Sequence, residues 1–417
     1  MGGALAPIFV STDGGNTWRL NSIVPSAAGN SPTGDISLAF ASAGGRLYGG
    51  ILRVPSGEFE TLRTPTFGNP TPMQRLAHRP NNDQPFAHAI TNAGRDRVYI
   101  GNNDFQAQPR TATVDVSVNA GATNPTFKSL RIETRSTVGQ DGPQIRPVAH
   151  ANGVVYAAFY GWRAQSGSFP GNTLVVTTDV VVVRDDQGAT GTTPFQNLTD
   201  PTDGRPGRLV ARGVRMPFNR NGVAATGQQR LGGTLSIAVD PRTNQGNTVY
   251  LAWADQQPQT GHTLHVRRST DGGANWSPTD LLTVPNATNA ALAINSGGTV
   301  GLLYQQLTGA GNNLRWVTHF RRTSDGTVWS DLILATTPAN TPAKMFDPYI
   351  GDYDHVVAVG TDFYGIFSAN NTPSLANFPQ GVTFQRNANF NTQTLLALDN
   401  TTPVAASIDP FFFKVSG

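Results

Sequence analysis

Several side chains that can exchange protons or bind charge stand three to five positions before recurrent alanines. Four positions before the alanines at 39, 87 and 358 stand Asp35, Asp83 and Asp354. Three positions before the alanines at 87, 149 and 358 stand Gln84, Arg146 and His355, and Tyr353 lies five before the last alanine. Paired carboxyls can divide general acid and base duties, and a neighbouring Tyr hydroxyl can exchange a proton with them. Asp83, Tyr353 and Asp35 are the candidate catalytic residues. Arg146, Gln84, His355 and Asp354 are the candidate substrate contacts, joined by Asn103 and Trp162 from neighbouring loops.

The residues that stand before the alanines do so because they precede one repeated element. SLAFAS (37–42), PFAHAI (85–90), PVAHAN (147–152), SIAVDP (236–241), ALAINS (291–296) and VVAVGT (356–361) are small-residue strands. Each is followed by a turn and a second apolar strand, with Tyr at 48, 99, 156, 250 and 364 and Gly301 as the exception. Such a unit, recurring along the chain, predicts four-stranded antiparallel blades packed around an axis. A small residue is expected in the innermost strand, where neighbours crowd. The fold expected is an all-β, six-bladed β-propeller occupying residues 1–417 as one domain. The wide gap between the third and fourth units predicts a long insertion around 186–232, with a seventh blade there as the alternative.

Composition agrees with many short strands. Gly (45) and Pro (29) clusters bound stretches rich in Val, Thr, Tyr and Phe, and Cys is 0, which excludes disulfides and thiolate chemistry. Net charge is +3 with no basic stripe, so no nucleic-acid partner is expected. No apolar run reaches the length of a membrane span. The first residues lack the pattern of a signal peptide. No cofactor is implied, although DPTDG (200–204) and RDD (184–186) could bind calcium, with a turn as the better reading.

Two octets, STDGGNTW (11–18) and STDGGANW (269–276), are nearly identical, and TSDGTVW (323–329) is a shortened copy. Looser versions end in an aromatic at 119–127 and 185–195. The Asp can accept from N–H groups of its own turn, Gly supplies positive φ, and Trp packs between sheets. The octet resembles the Asp box, or BNR repeat, of sialidases and related β-propellers. Ser11, Asp13, Gly14, Gly15 and Trp18 match it, as do Ser269, Asp271, Gly272, Gly273 and Trp276. In an up-and-down blade this turn joins the third and fourth strands, on the face opposite the inner-strand starts. Asp13 and Asp271 are therefore expected to be structural. The first octet precedes every inner strand, so N- and C-terminal strands are expected to share the last blade and close the ring.

The resemblance implies a Tyr nucleophile assisted by Glu, an Asp acid/base and three Arg gripping a substrate carboxylate. YDHVVAVGTDFYGIFS (353–368) places Tyr353 at the corresponding strand start, with Arg79 and Arg230 available to join Arg146. The sequence departs from that pattern in having no Arg-Ile-Pro and only Glu58, Glu60 and Glu133 as glutamates. Two functions stand open. One is a sialidase-like glycoside hydrolase acting on an acidic glycan through a variant site. The other is a non-catalytic propeller that binds glycan or protein. A secreted or cell-surface location is the expectation for either.

Overall fold

The alanine-bearing segments form the innermost strands of six blades arranged around an axis, with blades three and four joined by one bridge between Arg215 and Gln256, in a computed structural model. It describes residues 8–25, 32–42, 45–141, 145–169, 171–218, 226–227, 229–230, 234–257, 261–343, 349–381, 383–384, 387–397 and 399–417. A hairpin of β1 (Ile8–Val10) and β2 (Arg19–Asn21) comes first. Blade one is β3 (Thr33–Phe40), β4 (Leu47–Arg53), β5 (Glu58–Thr64) and β6 (Gln74–Arg79). Blade two is β7 (Asn82–Asn92), β8 (Arg95–Asp104), β9 (Thr111–Ser117) and β10 (Lys128–Arg131). Blade three is β11 (Arg146–Ala149), β12 (Val155–Ser166), β13 (Val175–Asp185) and β14 (Arg208–Pro217). Blade four is β15 (Leu235–Val239), β16 (Val249–Gln257), β17 (Gly261–Ser269) and β18 (Leu282–Pro285). Blade five is β19 (Ala287–Ile294), β20 (Val300–Thr308), β21 (Arg315–Thr323) and β22 (Ser330–Pro338).

Blade six is built from β23 (His355–Val359), β24 (Asp362–Asn370), β25 (Thr383–Phe384) and β29 (Ile408–Val415), in the order β23-β24-β29-β25. Between β25 and β29 the chain makes a small sheet of β26 (Ala388–Asn389), β27 (Thr394–Leu396) and β28 (Pro403–Val404). The wide gap supplies β13 and β14, the outer half of blade three, and β14 falls inside the stretch expected to be loop. Among the described residues no helix is long and apolar enough to cross a membrane.

The repeated residues explain how blades pack. Inner strands β3, β7, β11, β15, β19 and β23 neighbour one another in that order. Apolar clusters fill the spaces between successive blades, such as Tyr48, Phe59, Val98 and Ile100 between one and two, or Leu303, Phe320, Phe363 and Phe413 between five and six. Each buried side chain of this size contributes roughly 1.5–3 kcal/mol. The repeated tyrosine adds a polar tie at its tip. Tyr48 donates to Asp96 of the next blade at 2.8 Å, Tyr99 to the Gly188 carbonyl at 3.2 Å, and Tyr156 to the Gly246 carbonyl at 2.8 Å.

The second octet is the turn joining the third and fourth strands of blade four, the first joins β1 to β2, and in both the polar groups are spent on themselves. Thr17 N–H donates to Asp13 at 2.9 Å, Gly15 N–H to Ser11 Oγ at 2.7 Å, and Trp18 Nε1 to the Gly15 carbonyl at 3.0 Å. The second octet repeats this: Asn275 N–H to Asp271 at 2.8 Å, Gly273 N–H to Ser269 Oγ at 2.8 Å, and Trp276 Nε1 to the Gly273 carbonyl at 3.0 Å. These bonds hold the Asp13 carboxyl down to about 2, the Thr17 hydroxyl contributing most. The looser versions work alike, since Asp185 accepts from the N–H groups of Gln187, Ala189 and Phe195. In the acid-rich stretches, Asp200 and Asp203 accept from backbone N–H groups and pair with Arg212 and Arg135. Among the described residues no acidic or His group is arranged to hold a metal ion.

Ring closure differs from the expectation in one respect. The C-terminal strand β29 does join blade six, but β1 and β2 pair with each other and not with that sheet. The hairpin is a wedge between the last and first blades. Ile8, Val10 and Ile23 pack on Leu47, Ile51 and Leu62 of blade one, while Trp18 meets Phe412 of β29 edge-on at 5.1 Å. A Cβ on Gly15, where φ is +94°, would enter the Phe412 ring. Gly15→Ala is therefore expected to destabilise the protein by roughly 1–3 kcal/mol. Urea or thermal unfolding indistinguishable from the parent would show that the wedge contributes nothing to closure.

Candidate functional site

The inner strands do not enter the ring as regular ladders. Pairing with the second strand slips between Thr33 and Ile36, between Asp83 and Phe86, and between Thr288 and Ala291. These are β-bulges, which re-aim side chains at the rim of a sheet. Gln84 and Asn289 sit in them with φ of 55° and 56°, a conformation that costs free energy for any residue but Gly. The bulges in blades one and two turn Asp35, Asp83 and Gln84 to a common mouth.

Asp35, Asp83, Arg146 and Tyr353 come together there. The Tyr353 hydroxyl donates to Asp35 Oδ2 at 3.3 Å, a bond that bridges the first and last blades. The Arg146 guanidinium lies 3.5 Å over the Phe86 ring and 5.8 Å from the Tyr353 ring centre. Burial pushes the Asp35 carboxyl up to about 7, reinforced by the nearby charges of Asp83 and Asp352 and offset in part by Arg230. Burial also lifts Asp83 to about 6, with Asp141 adding to the effect and the Gln84 N–H, 2.9 Å from Asp83 Oδ1, opposing it. Two carboxyls thus compete for a proton near neutrality and titrate as a pair. Tyr353 is raised well above an ordinary phenol by burial and by the surrounding acids.

A second layer fixes this cluster. Asp352 forms an ion pair with Arg230 and accepts from Gln84 Nε2 at 3.3 Å. Gln229 donates to the Gly351 carbonyl at 2.7 Å and to Asn289 at 3.2 Å, and accepts from Ile350 N–H at 2.9 Å. Asn289 in turn donates to Gln305 at 2.9 Å. Gln229, Arg230, Asp352 and Asn289 therefore hold the segment before β23 in place. Alternation along that segment buries Asp352 and Asp354 and leaves Tyr353 and His355 partly exposed.

Other expected residues take different places. Asp354 and His355 line a cavity of about 240 Å³ along the axis, with Phe86, His88 and Arg146. Burial drives Asp354 well above the carboxylate range and lowers His355 to about 4, the nearby Arg146 adding to the latter. His88 lies in the same cavity, whereas His150 meets the Arg242 carbonyl at 3.2 Å. Trp162 is not an exposed platform. β12 runs on to Ser166, so Trp162 lies within a strand, 2% exposed and edge-on to Phe218 at 5.6 Å. Asn103 is likewise buried in β8, accepting from Gln140 Nε2 at 2.9 Å. Arg79 joins Asp104 and Asp115 instead of completing a triad at the mouth. Each glutamate is engaged elsewhere, Glu58 with His78, Glu60 with Arg53 and Arg75, and Glu133 with Arg163.

The fold and this mouth define a six-bladed propeller with an acidic, partly desolvated cluster at the inner-strand starts. No protein-family model matches the sequence, and no curated protein matches it. Solved structures similar to it include a protein of unknown function from Dyadobacter fermentans, with 13% identity, covering 82% of this chain and 76% of that one, at a TM-score of 0.39. Another is an α-L-arabinofuranosidase from Fusarium graminearum with 10% identity, 90% and 92% covered, and a TM-score of 0.44. A third is the six-bladed fucose-binding lectin of Aleuria aurantia, with 8% identity, 80% and 88% covered, and a TM-score of 0.42. At such distances the site alone carries the functional argument.

The acid pair has a consequence for stability. Asp35 releases its proton near 3.8 when unfolded and near 7 when folded, so between these values the folded state holds the extra proton. Stability from this group is present at low pH and is lost as pH rises towards 7. Asp35→Asn is expected to melt a few degrees above the parent at pH 8, at roughly 2–4 °C per kcal/mol, and not at pH 4. An equal shift at both pH values would show that Asp35 is not held protonated by the fold.

Proposed function

We propose that the mouth hydrolyses a glycosidic bond, with Asp35 and Asp83 sharing the acid and base roles. The observation that carries this is the half-buried carboxyl pair, raised to about 7 and about 6 beside a Tyr hydroxyl. Between those values the pair holds one proton. The protonated member donates to the departing glycosidic oxygen, and the ionised member takes a proton from the attacking group. Tyr353 attacks the anomeric carbon only from the form of the pair in which Asp83 carries the shared proton and gives it to the leaving oxygen. Ionised Asp35 accepts the phenol proton in the same step, since the phenolate is disfavoured on its own. Asp35 then stands where the sialidase resemblance implies a Glu. Water attack with Tyr353 as a positioning group is the simpler route through the same residues.

Charge supports a neutral glycan over an acidic one. Arg230 is paired with Asp352, and Arg146 stacks on Phe86 and donates to the Leu235 carbonyl at 3.1 Å. A substrate carboxylate would have to compete with Asp352 for Arg230 and approach two further acids. The sialidase-like reading on acidic glycans is the alternative that a substrate panel decides. A non-catalytic glycan-binding propeller is favoured by one observation, the raised Tyr353 phenol, which is a poor nucleophile unaided.

Neutral aryl glycosides, sialosides and uronides should be assayed side by side. Turnover of a neutral glycoside is expected, falling as pH rises through 6–7, where the pair loses its last proton. Asp83→Asn and Asp35→Asn should each lower kcat/KM by roughly 10²–10⁴. Tyr353→Phe should abolish turnover if Tyr353 is the nucleophile and leave most of it if water attacks. Binding without release of sugar by the parent protein would reject the hydrolase and leave the binding propeller.

A further inference from the structure

We infer that Gln84 is a positioning residue that places the shared proton on Asp35, making Asp35 the acid and Asp83 the base of the proposed hydrolysis. The two roles rest on that reading of the mouth, whereas the place of the proton is a property of the protein without substrate. Gln84 meets the cluster twice. Its N–H donates to Asp83 Oδ1 at 2.9 Å, and its side-chain Nε2 donates to Asp352 Oδ2 at 3.3 Å. It sits in the bulge between Asp83 and Phe86, 3% exposed and with φ of 55°. A residue other than Gly keeps such a conformation only where its surroundings hold it. The amide bond to Asp352, which reaches from blade two to the segment before blade six, is that hold. The side chain thereby keeps the N–H aimed at Asp83.

The two carboxyls receive different partners. An N–H can only donate, and it bonds about twice as strongly to a carboxylate as to a neutral acceptor, so Asp83 is favoured ionised. Asp35 instead meets the Tyr353 hydroxyl, 3.3 Å from Oδ2, a group that both donates and accepts. With its proton on Oδ1, Asp35 keeps that bond through a carbonyl Oδ2 and loses little by being neutral. The surrounding charges do not reverse the order. Arg230 and Asp352 act on both carboxyls, with opposite signs. Asp141 opposes ionisation of Asp83, but Arg110 matches its charge at 2.7 Å. Arg146 bears on Tyr353 and is turned to the Phe86 ring and the Leu235 carbonyl. Values of about 7 for Asp35 and about 6 for Asp83 run the same way. In the step that follows, Asp35 gives its proton to the glycosidic oxygen as that oxygen leaves the anomeric carbon. Asp83 takes a proton from the water that bonds to the same carbon. Attack by Tyr353 needs the proton on Asp83 instead, so it belongs to the minor form of the pair.

The test is an NMR titration of the full chain, isotope-labelled at the aspartate carboxyl carbons, with the two signals assigned from Asp35→Asn and Asp83→Asn. Asp83 is expected to ionise first as pH rises. Gln84→Ala leaves the positive φ without its hold, so the N–H should leave Asp83 and the gap between the two midpoints should close by about one pH unit. Gln84→Gly takes the same φ without strain, keeps the N–H in place and should preserve the gap. A side chain that only stabilised the fold would lower the melting temperature in both variants and leave the titrations alone. The inference is overturned if Asp35 ionises first in the parent, or if the gap survives in Gln84→Ala. Closure of the gap in Gln84→Gly as fully as in Gln84→Ala would overturn it too, by giving the effect to the side chain alone. Where the parent cleaves a neutral aryl glycoside, Tyr353→Phe should keep most of the turnover, and its abolition with the titration order intact would overturn the assigned roles. The expected order in a parent that cleaves nothing would reject the hydrolase while supporting the place of the proton.

Discussion

Everything at the mouth depends on closing the ring. The Tyr353 hydroxyl that donates to Asp35 crosses the seam between the last and first blades, and Gln84 of blade two reaches Asp352 over the same gap. Arg230, which balances these acids, arrives from the segment leading into blade four. An open ring would draw Tyr353 and Asp352 away from Asp35 and Asp83, let water reach both carboxyls and restore ordinary acidity. The proton shared by Asp35 and Asp83 is therefore a property of the tertiary structure and of no single blade.

That arrangement is held against its own cost. Desolvating two carboxyls next to a third opposes folding, and placing Gln84 and Asn289 at positive φ adds backbone strain. The amides of Gln229, Asn289 and Gln305 offset this by satisfying one another and the Gly351 carbonyl. Between the blades the economics are ordinary, with apolar clusters capped by the repeated tyrosine hydroxyl. Stability is thus supplied by the blade interfaces, and the mouth draws on it.

The division was legible in the sequence where the repeat was strict. Alanine at each inner strand and tyrosine in its partner follow from crowding near the axis and from the reach of a phenol to the next blade. Counting back from the alanines brought Asp35, Asp83, Arg146 and Tyr353 to one edge, because strand starts in a radial repeat share a face. What the count could not show was local departure from the repeat. Bulges decide which of Asp83, Gln84 and Pro85 faces inward, and they depend on backbone conformation in three dimensions. Trp162 was misplaced because β12 runs on as strand where a loop was expected. Gln229 lies in the one stretch without a repeated counterpart, and Asp352 gave no sign in the sequence that it would pair with Arg230.

The first octet shows how structural and chemical roles are linked without sharing residues. Its carboxylate is consumed by its own turn, and the next residue, Arg19, donates to the Gly68 carbonyl in the turn between β5 and β6, on the face opposite the mouth. Yet Trp18 packs on Phe412 of β29, β29 pairs with β24, and β24 pairs with β23, whose first residue lies two places after Tyr353. The contact that secures the N-terminal wedge therefore bears, through three paired elements, on the segment that carries Tyr353. A turn that looks catalytic in sequence serves the site by holding the seam shut from the far side.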